Sequence, residues 1–237
     1  MSTPTRPVPV FVGWAIHALT ASGAVLAFLA LLAVEQDKPR LALLWLSAAL
    51  IVDGVDGPLA RWARVTERTP GIDGATLDLV VDYLTYVLVP ALLIYRAGLL
   101  PAPYAIIAVS AVLLSSLYTF ARTDMKTEDN FFRGFPAVWN VIVFYLFLVQ
   151  PGQLASAIVI GVFCVLTFAP IHFIHPVRVR LYQPWLLAAT AMWGAISMAL
   201  LLPDWSAQQA HILLVVSLVG AGGLLGVGFL RTIRGAR

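Results

Sequence analysis

Four aspartates, Asp53, Asp56, Asp78 and Asp82, lie within or at the ends of two otherwise apolar stretches. Asp53, Asp56, Gly57, Ala60 and Arg61 recur at i, i+3, i+4, i+7 and i+8, so a helix carries them on one stripe. Gly74, Asp78 and Asp82 follow at i, i+4 and i+8, a stripe on a second helix. The loop between them is short, which predicts antiparallel neighbours and four carboxylates converging from two helices. Hard oxygen donors in that number suit Mg²⁺ or Mn²⁺. Two such ions would neutralise the cluster and fit it for phosphoryl transfer. One Asp at the centre of a membrane helix costs roughly 2.5–3.5 kcal/mol. Four without compensation would cost on the order of 10 kcal/mol, comparable to the stability of a whole protein. The bland alternative is a buried polar network in a transporter or channel.

The elements that must hold these residues are membrane helices. Of 237 residues, 60% are hydrophobic and 11% charged, against about a quarter charged in a soluble domain. The apolar content falls in blocks long enough to cross a bilayer. Eight spans are expected, over residues 12–34, 41–61, 75–95, 102–121, 135–149, 154–169, 185–202 and 210–230, in one all-α domain covering 1–237. The fifth and sixth are short and divided by Gln150-Pro-Gly-Gln153, so a single bent span competes with two. Residues 1–9 are polar and no cleavage pattern follows the first block, which reads as a retained helix. Cys164 stands alone and can form no intrachain disulfide.

With the N-terminus inside, Arg6, Arg61, Arg64, Arg68, Arg122, Lys126, Arg133, Arg178, Arg180, Arg231, Arg234 and Arg237 fall on the cytoplasmic side. Only Lys38, Arg40 and Arg96 fall on the other. This positive-inside asymmetry predicts both termini in the cytoplasm. The net charge of +3 then reflects orientation and anionic lipid, and gives no case for nucleic acid. Asp56 is about 8 Å of helix rise from Arg61, and Asp82 about 12 Å from Gly74, which puts the cluster near the cytoplasmic headgroups. Gly57, Gly74 and Ala60 leave room beside the backbone. Pro58 removes a backbone donor within the second helix, so a kink is expected beside the site.

Asp56-Gly57-Pro58-Leu59-Ala60-Arg61, then twelve residues, then Gly74-Ala-Thr-Leu-Asp78-Leu-Val-Val-Asp82 resembles the Asp-Gly-x2-Ala-Arg, Gly-x3-Asp-x3-Asp motif of the CDP-alcohol phosphotransferase family. The usual spacer in that family is eight residues. Twelve resembles the bacterial branch that makes phosphatidylcholine from free choline. Four extra residues is close to one helical turn, so the stripes can still face each other. The stretch 126–140 and His17-Ala-Leu-Thr-Ala-Ser-Gly23 are similar to the same branch.

The resemblance implies a multi-pass enzyme of the bacterial inner membrane with its active site toward the cytoplasm. It implies transfer of a phosphatidyl group from CDP-diacylglycerol to choline, with release of CMP. Asp53, Asp56, Asp78 and Asp82 would hold the metals, and Gly57, Ala60, Arg61 and Gly74 would shape the CDP pocket. Asp82 would also act as general base on the acceptor hydroxyl. Choline's quaternary ammonium calls for aromatic faces or carboxylates, for which Tyr86, Tyr118, Trp139, Glu128 and Asp129 are the candidates. Each also has a bland reading, as a packing or membrane-belt residue or a solvated loop charge. Arg133 is the candidate for the lipid diphosphate, although positive-inside placement alone accounts for it. Gly222-x3-Gly226 permits close helix packing, and the family adds a homodimer as an expectation. His17 reads as a packed polar group, and His172 and His175 carry no assignment.

Two rivals remain at the level of sequence. Another acceptor of the same superfamily, serine, inositol or glycerol 3-phosphate, is one; a phosphorylated acceptor should want a dense basic pocket. A cation transporter is the other, but such sites lie near the midplane between repeated halves. Here the acids lie toward one face and no repeat is visible.

Overall fold

A computed structural model describes residues 9–179 and 183–235. Arg6, Arg180 and Arg237 of the charge count lie outside the described residues. Ten helices appear among the described residues: α1 Val10–Glu35, α2 Pro39–Ala63, α3 Val65–Arg68, α4 Gly74–Asp82, α5 Val89–Arg96, α6 Ala102–Ala121, α7 Trp139–Val149, α8 Gln153–Leu166, α9 Gln183–Ala199 and α10 Ala207–Arg234. A π-helical segment, Tyr83–Leu88, joins α4 to α5 so that Gly74–Arg96 is one continuous rod.

Five of these rods are long and apolar enough to cross a membrane: α1, α2, Gly74–Arg96, α6 and α10. They mark a membrane-embedded protein. The other three expected spans are helices of 11, 14 and 17 residues, α7, α8 and α9. The helix expected from residue 135 begins instead at Trp139. Pro136 cannot donate a helical hydrogen bond, and Ala137 adopts a left-handed φ of 57°. Pro58, by contrast, lies inside α2 without ending it.

The core forms where small residues let helices approach. Ala27, Ala30 and Ala33 of α1 are buried against Ala42, Leu43 and Leu46 of α2. Gly23 of α1 faces the Val81 side chain so closely that a Cβ there would collide with it, which sets α1 tightly on α4. α1 is therefore the wedge on which both aspartate-bearing helices rest. Apolar side chains such as Phe28, Ile106, Leu114 and Val219 point outward, as lipid-solvated faces do.

Outside the helices, residues 122–138 and 167–179 fold into a cap. Strands β1 Phe132–Arg133 and β2 His172–Phe173 pair antiparallel, with Phe132 opposite Phe173 and Arg133 opposite His172. Lys126 makes a further bridge to Phe132. Gly134 is required here: its φ is 78°, and a Cβ would run into the Thr167 carbonyl. α10 pins the cap down. The Thr232 hydroxyl accepts from the His172 N–H at 2.7 Å, and Arg231 donates to Asp129 at 2.6 Å.

Candidate active site

α2 and α4 deliver their carboxylates to one place. One oxygen each from Asp53, Asp78 and Asp82 lies within 4.8 Å of the others. Asp56 stands beside them in the same field but is differently held. It is buried, and its Oδ2 accepts from the Thr20 hydroxyl of α1 at 2.6 Å. The N-terminus of α4 is fixed by Asp73, which accepts from the backbone N–H groups of Ala75 and Thr76. Thr76 is also the main reason the Asp73 carboxyl sits below its usual range. This cap places Asp78 and Asp82 one and two turns into the helix.

The π-helical segment follows directly after Asp82. Pro90 has no N–H to offer the Tyr86 carbonyl, and its ring would crowd that oxygen in a regular helix. The chain widens instead: the Val89 N–H bonds to Leu84 O, five residues back. Such widened turns occur often at functional sites. Tyr86 lies within it, and its hydroxyl donates to Asp53 Oδ2 at 2.6 Å. The hydroxyl is thus committed to a carboxylate, and the ring is buried.

Among the described residues, none of the four aspartates forms an ion pair; the pairs present are Arg96–Asp37, Arg122–Asp124, Arg133–Asp124 and Arg231–Asp129. Three clustered hard-oxygen donors without a protein counter-charge fit Mg²⁺ or Mn²⁺. Two glycines of the motif sit differently. A Cβ on Gly74 would press on the His17 ring at 3.0 Å, while one on Gly57 would meet only Arg61 Nη1 at 3.3 Å. His17 is itself held by Thr69 at 2.9 Å.

The cap brings cations to the same end. Burial pushes the Lys126 ammonium below its usual range and Arg178 adds to this, while Asp78, Asp82 and Asp53 pull it back up. His175 is pushed down to about 3 by burial and then by Lys126, Arg178 and Arg61. Its ring stacks on Phe132 at 5.1 Å, and its Nδ1 is buried without a partner among the described residues. Lys126 Nζ lies 5.1 Å from the centroid of the same Phe132 ring.

Other expected site residues are placed elsewhere. Trp139 is fully buried, its indole N–H donating to Ser116 at 2.8 Å, so it offers no open face. Tyr118 packs on Phe168 with the Arg122 guanidinium 5.4 Å from its ring. Asp129 is engaged by Arg231 and Thr127, which hold its carboxyl down to about 2. Glu128 is exposed on the same loop. Arg133 is exposed and lies 3.9 Å from Asp124, which also pairs with Arg122.

Sequence spacing did not reveal Thr20 or Arg178 as neighbours of the carboxylates, or His175 as a neighbour of the cap cations. Thr20 had one signal, its place in the 17–23 stretch. Arg178 and His175 reach the site only through the β1–β2 pairing, which no local pattern encodes.

Residues 17–169 match the CDP-alcohol phosphatidyltransferase family. The chain is 44% identical over 207 residues to a phosphatidylcholine synthase of Pseudomonas aeruginosa, covering 87% of each chain. It is 44% identical over 197 residues to that of Rhizobium meliloti, covering 81% of this chain and 82% of the relative. The phosphatidylcholine synthase of Legionella pneumophila is 34% identical over 217 residues, covering 89% of this chain and 85% of the relative.

Proposed function

We propose that this chain, which belongs to the CDP-alcohol phosphatidyltransferase family, is a phosphatidylcholine synthase that transfers the phosphatidyl group of CDP-diacylglycerol to choline and releases CMP. The observation that carries the reading is the meeting of Asp53, Asp78 and Asp82, at motif spacing, with no ion-pair partner among the described residues.

Asp53, Asp56, Asp78 and Asp82 would hold Mn²⁺ or Mg²⁺, two ions in this reading. The ions, when bound, supply charge neutralisation for a diphosphate and its leaving group. Thr20 orients Asp56, and Tyr86 orients Asp53, so that both carboxylates are set before substrate arrives. Asp82, at the end of α4, takes the proton of the acceptor hydroxyl. Gly57, Ala60, Arg61 and Gly74 shape the nucleotide pocket, Gly57 by its open side and Gly74 by letting His17 of α1 pack close. Tyr86, one turn beyond Asp82, is the candidate in this reading for choline's trimethylammonium. The cation would reach its ring only with a local opening, since that ring is buried and its hydroxyl is bonded to Asp53. In the same reading Asp129, Glu128 and Tyr118 are the further candidates for choline, and Arg133 the candidate for the lipid diphosphate.

The same reading sets eight spans in the bacterial inner membrane, both termini and the active site toward the cytoplasm. It is supported by the gathering of Arg122, Lys126, Arg133, Arg178 and Arg231 on the cap while Arg96 pairs with Asp37 away from it. It includes a homodimer, for which Gly222 and Gly226 leave open space along α10.

Purified protein given CDP-diacylglycerol, labelled choline and Mn²⁺ should yield labelled lipid and CMP in equal amounts. EDTA should abolish turnover and Mn²⁺ should restore it. Equal use of serine, inositol or glycerol 3-phosphate would overturn the choline assignment, and full activity after rigorous chelation would overturn the metal.

A further inference from the structure

Three cations at this end, Arg61, Lys126 and Arg178, have no carboxylate partner among the described residues, although Lys126 Nζ lies 5.1 Å from the Phe132 ring centroid. Among the described residues their side chains form no ion pair and no hydrogen bond, although Arg122 of the cap and Arg231 of α10 are both paired with aspartates. An exposed arginine without a partner is ordinary, and Arg61 and Arg178 are exposed. Lys126 is half-buried, and a partly desolvated ammonium without a counter-ion is costly. The carboxylates whose field it feels, Asp53, Asp78 and Asp82, likewise form no ion pair among the described residues, Asp53 accepting only from the Tyr86 hydroxyl. Opposite charges therefore act on one another here without forming an ion pair among the described residues.

The cap is built to hold them so. Lys126 is fixed by its bridge to Phe132, and Phe132 by its stack on His175 and its pairing with Phe173. Arg178 follows His175 by one turn, its backbone N–H bonded to the His175 carbonyl at 3.1 Å. The whole is tied to α10 by Thr232 and Arg231. Residues matching the family end at 169, so Arg178 and both ties come from chain beyond that match.

We propose that Lys126 and Arg178 clamp the diphosphate of the nucleotide–lipid donor over the carboxylates, with the cap as their mount. This rests on the donor named above. Choline is a cation and gains nothing from two more cations; the diphosphate is the anion of this reaction. With metal on its acidic side and the clamp on its basic side, it fills the gap between the two sets of charges.

The test uses the full-length protein with CDP-diacylglycerol, measuring its equilibrium Kd in the presence of Mn²⁺ without choline, then both KM values and kcat. Lys126→Met should raise donor Kd and KM about 30-fold, equivalent to about 2 kcal/mol for a lost charged hydrogen bond. Arg178→Gln, at an exposed position, should raise them less, and Lys126→Arg should restore most of the loss. The choline KM and the thermal midpoint should stay near wild type, which a merely structural lysine would not allow. Unchanged donor Kd in Arg178→Gln and in a folded Lys126→Met would overturn the clamp, as would an effect confined to choline. Should Lys126→Met not fold, Arg178→Gln decides. A wild type that binds the donor but ignores choline would refute the choline reading while leaving the clamp open to the same binding measurement, which decides it.

Discussion

The two ends of the helical bundle handle charge in opposite ways. Away from the cap, Asp37 and Arg96 meet at 3.6 Å in solvent and answer one another. They line a cleft of about 450 Å³ with Val34, Leu93 and Gln153. At the capped end Asp53, Asp78 and Asp82 form no ion pair among the described residues, and neither do Lys126 and Arg178, whose charges act on them. The first arrangement is complete without a ligand, and open volume adds no chemistry to it. In the proposed reading the second is complete only when something of mixed charge, metal and phosphate, lies between its halves. Unanswered charge, more than cavity size, distinguishes the functional end.

The largest expected effect is at Asp82. Asp82→Asn removes the proposed base but leaves most of the donor site, so turnover should fall about 10²–10⁴-fold while CDP-diacylglycerol still binds. A near-wild-type rate would show that the base lies elsewhere. Tyr86 sharpens the comparison within the capped end. Tyr86→Ala should raise the choline KM about 30-fold, the value of about 2 kcal/mol of cation–π contact. Tyr86→Phe keeps the ring but loses the bond to Asp53, so it should spare the choline KM and raise the Mn²⁺ requirement. Equal choline effects from both variants would move choline away from the ring.

Smaller effects belong to answered charges. Asp129 is held down to about 2, first by its hydrogen bond from Arg231. Its folded value lies below the ordinary carboxylate value of about 4, so the pair's contribution is fully present above about 4 and is lost as pH falls toward about 2. Its side chain is 46% exposed, which limits the contribution to less than about 1 kcal/mol. Asp129→Asn should therefore lower the thermal midpoint slightly at pH 7, and that difference should vanish in acid. A constant difference at all pH values would mean packing, not charge, is lost. Least of all, Asp37→Asn should change stability by no more than about 0.5 kcal/mol and leave turnover intact. A large loss there would erase the distinction between the two ends.

Helical periodicity made the acidic half legible. The four aspartates repeat within single helices, so their common face follows from 3.6 residues per turn alone. The same logic gave the α6 boundaries, Ala102–Ala121, in full. The cap was not legible, because Lys126 and Arg178 are 52 residues apart and meet only through a two-residue ladder. Neither strand is long enough to leave an alternating pattern. Thr20 was hidden for a related reason: a threonine on an apolar helix reads as packing until its partner on another helix is known. Trp139 misleads in the other direction. An aromatic near a helix end suggests a ligand wall, yet tertiary packing closes it over completely.

The ties to α10 give the chain a direction in time. Arg231 and Thr232 are in the last turn of the last described helix, more than a hundred residues after the final aspartate of the motif. During synthesis, α2 and α4 can assemble their carboxylates early, but Lys126 and Arg178 gain their mount only once α10 has been made. In that reading the nascent chain carries an acidic half-site until α10 has been made, and only then can the cap be held over it.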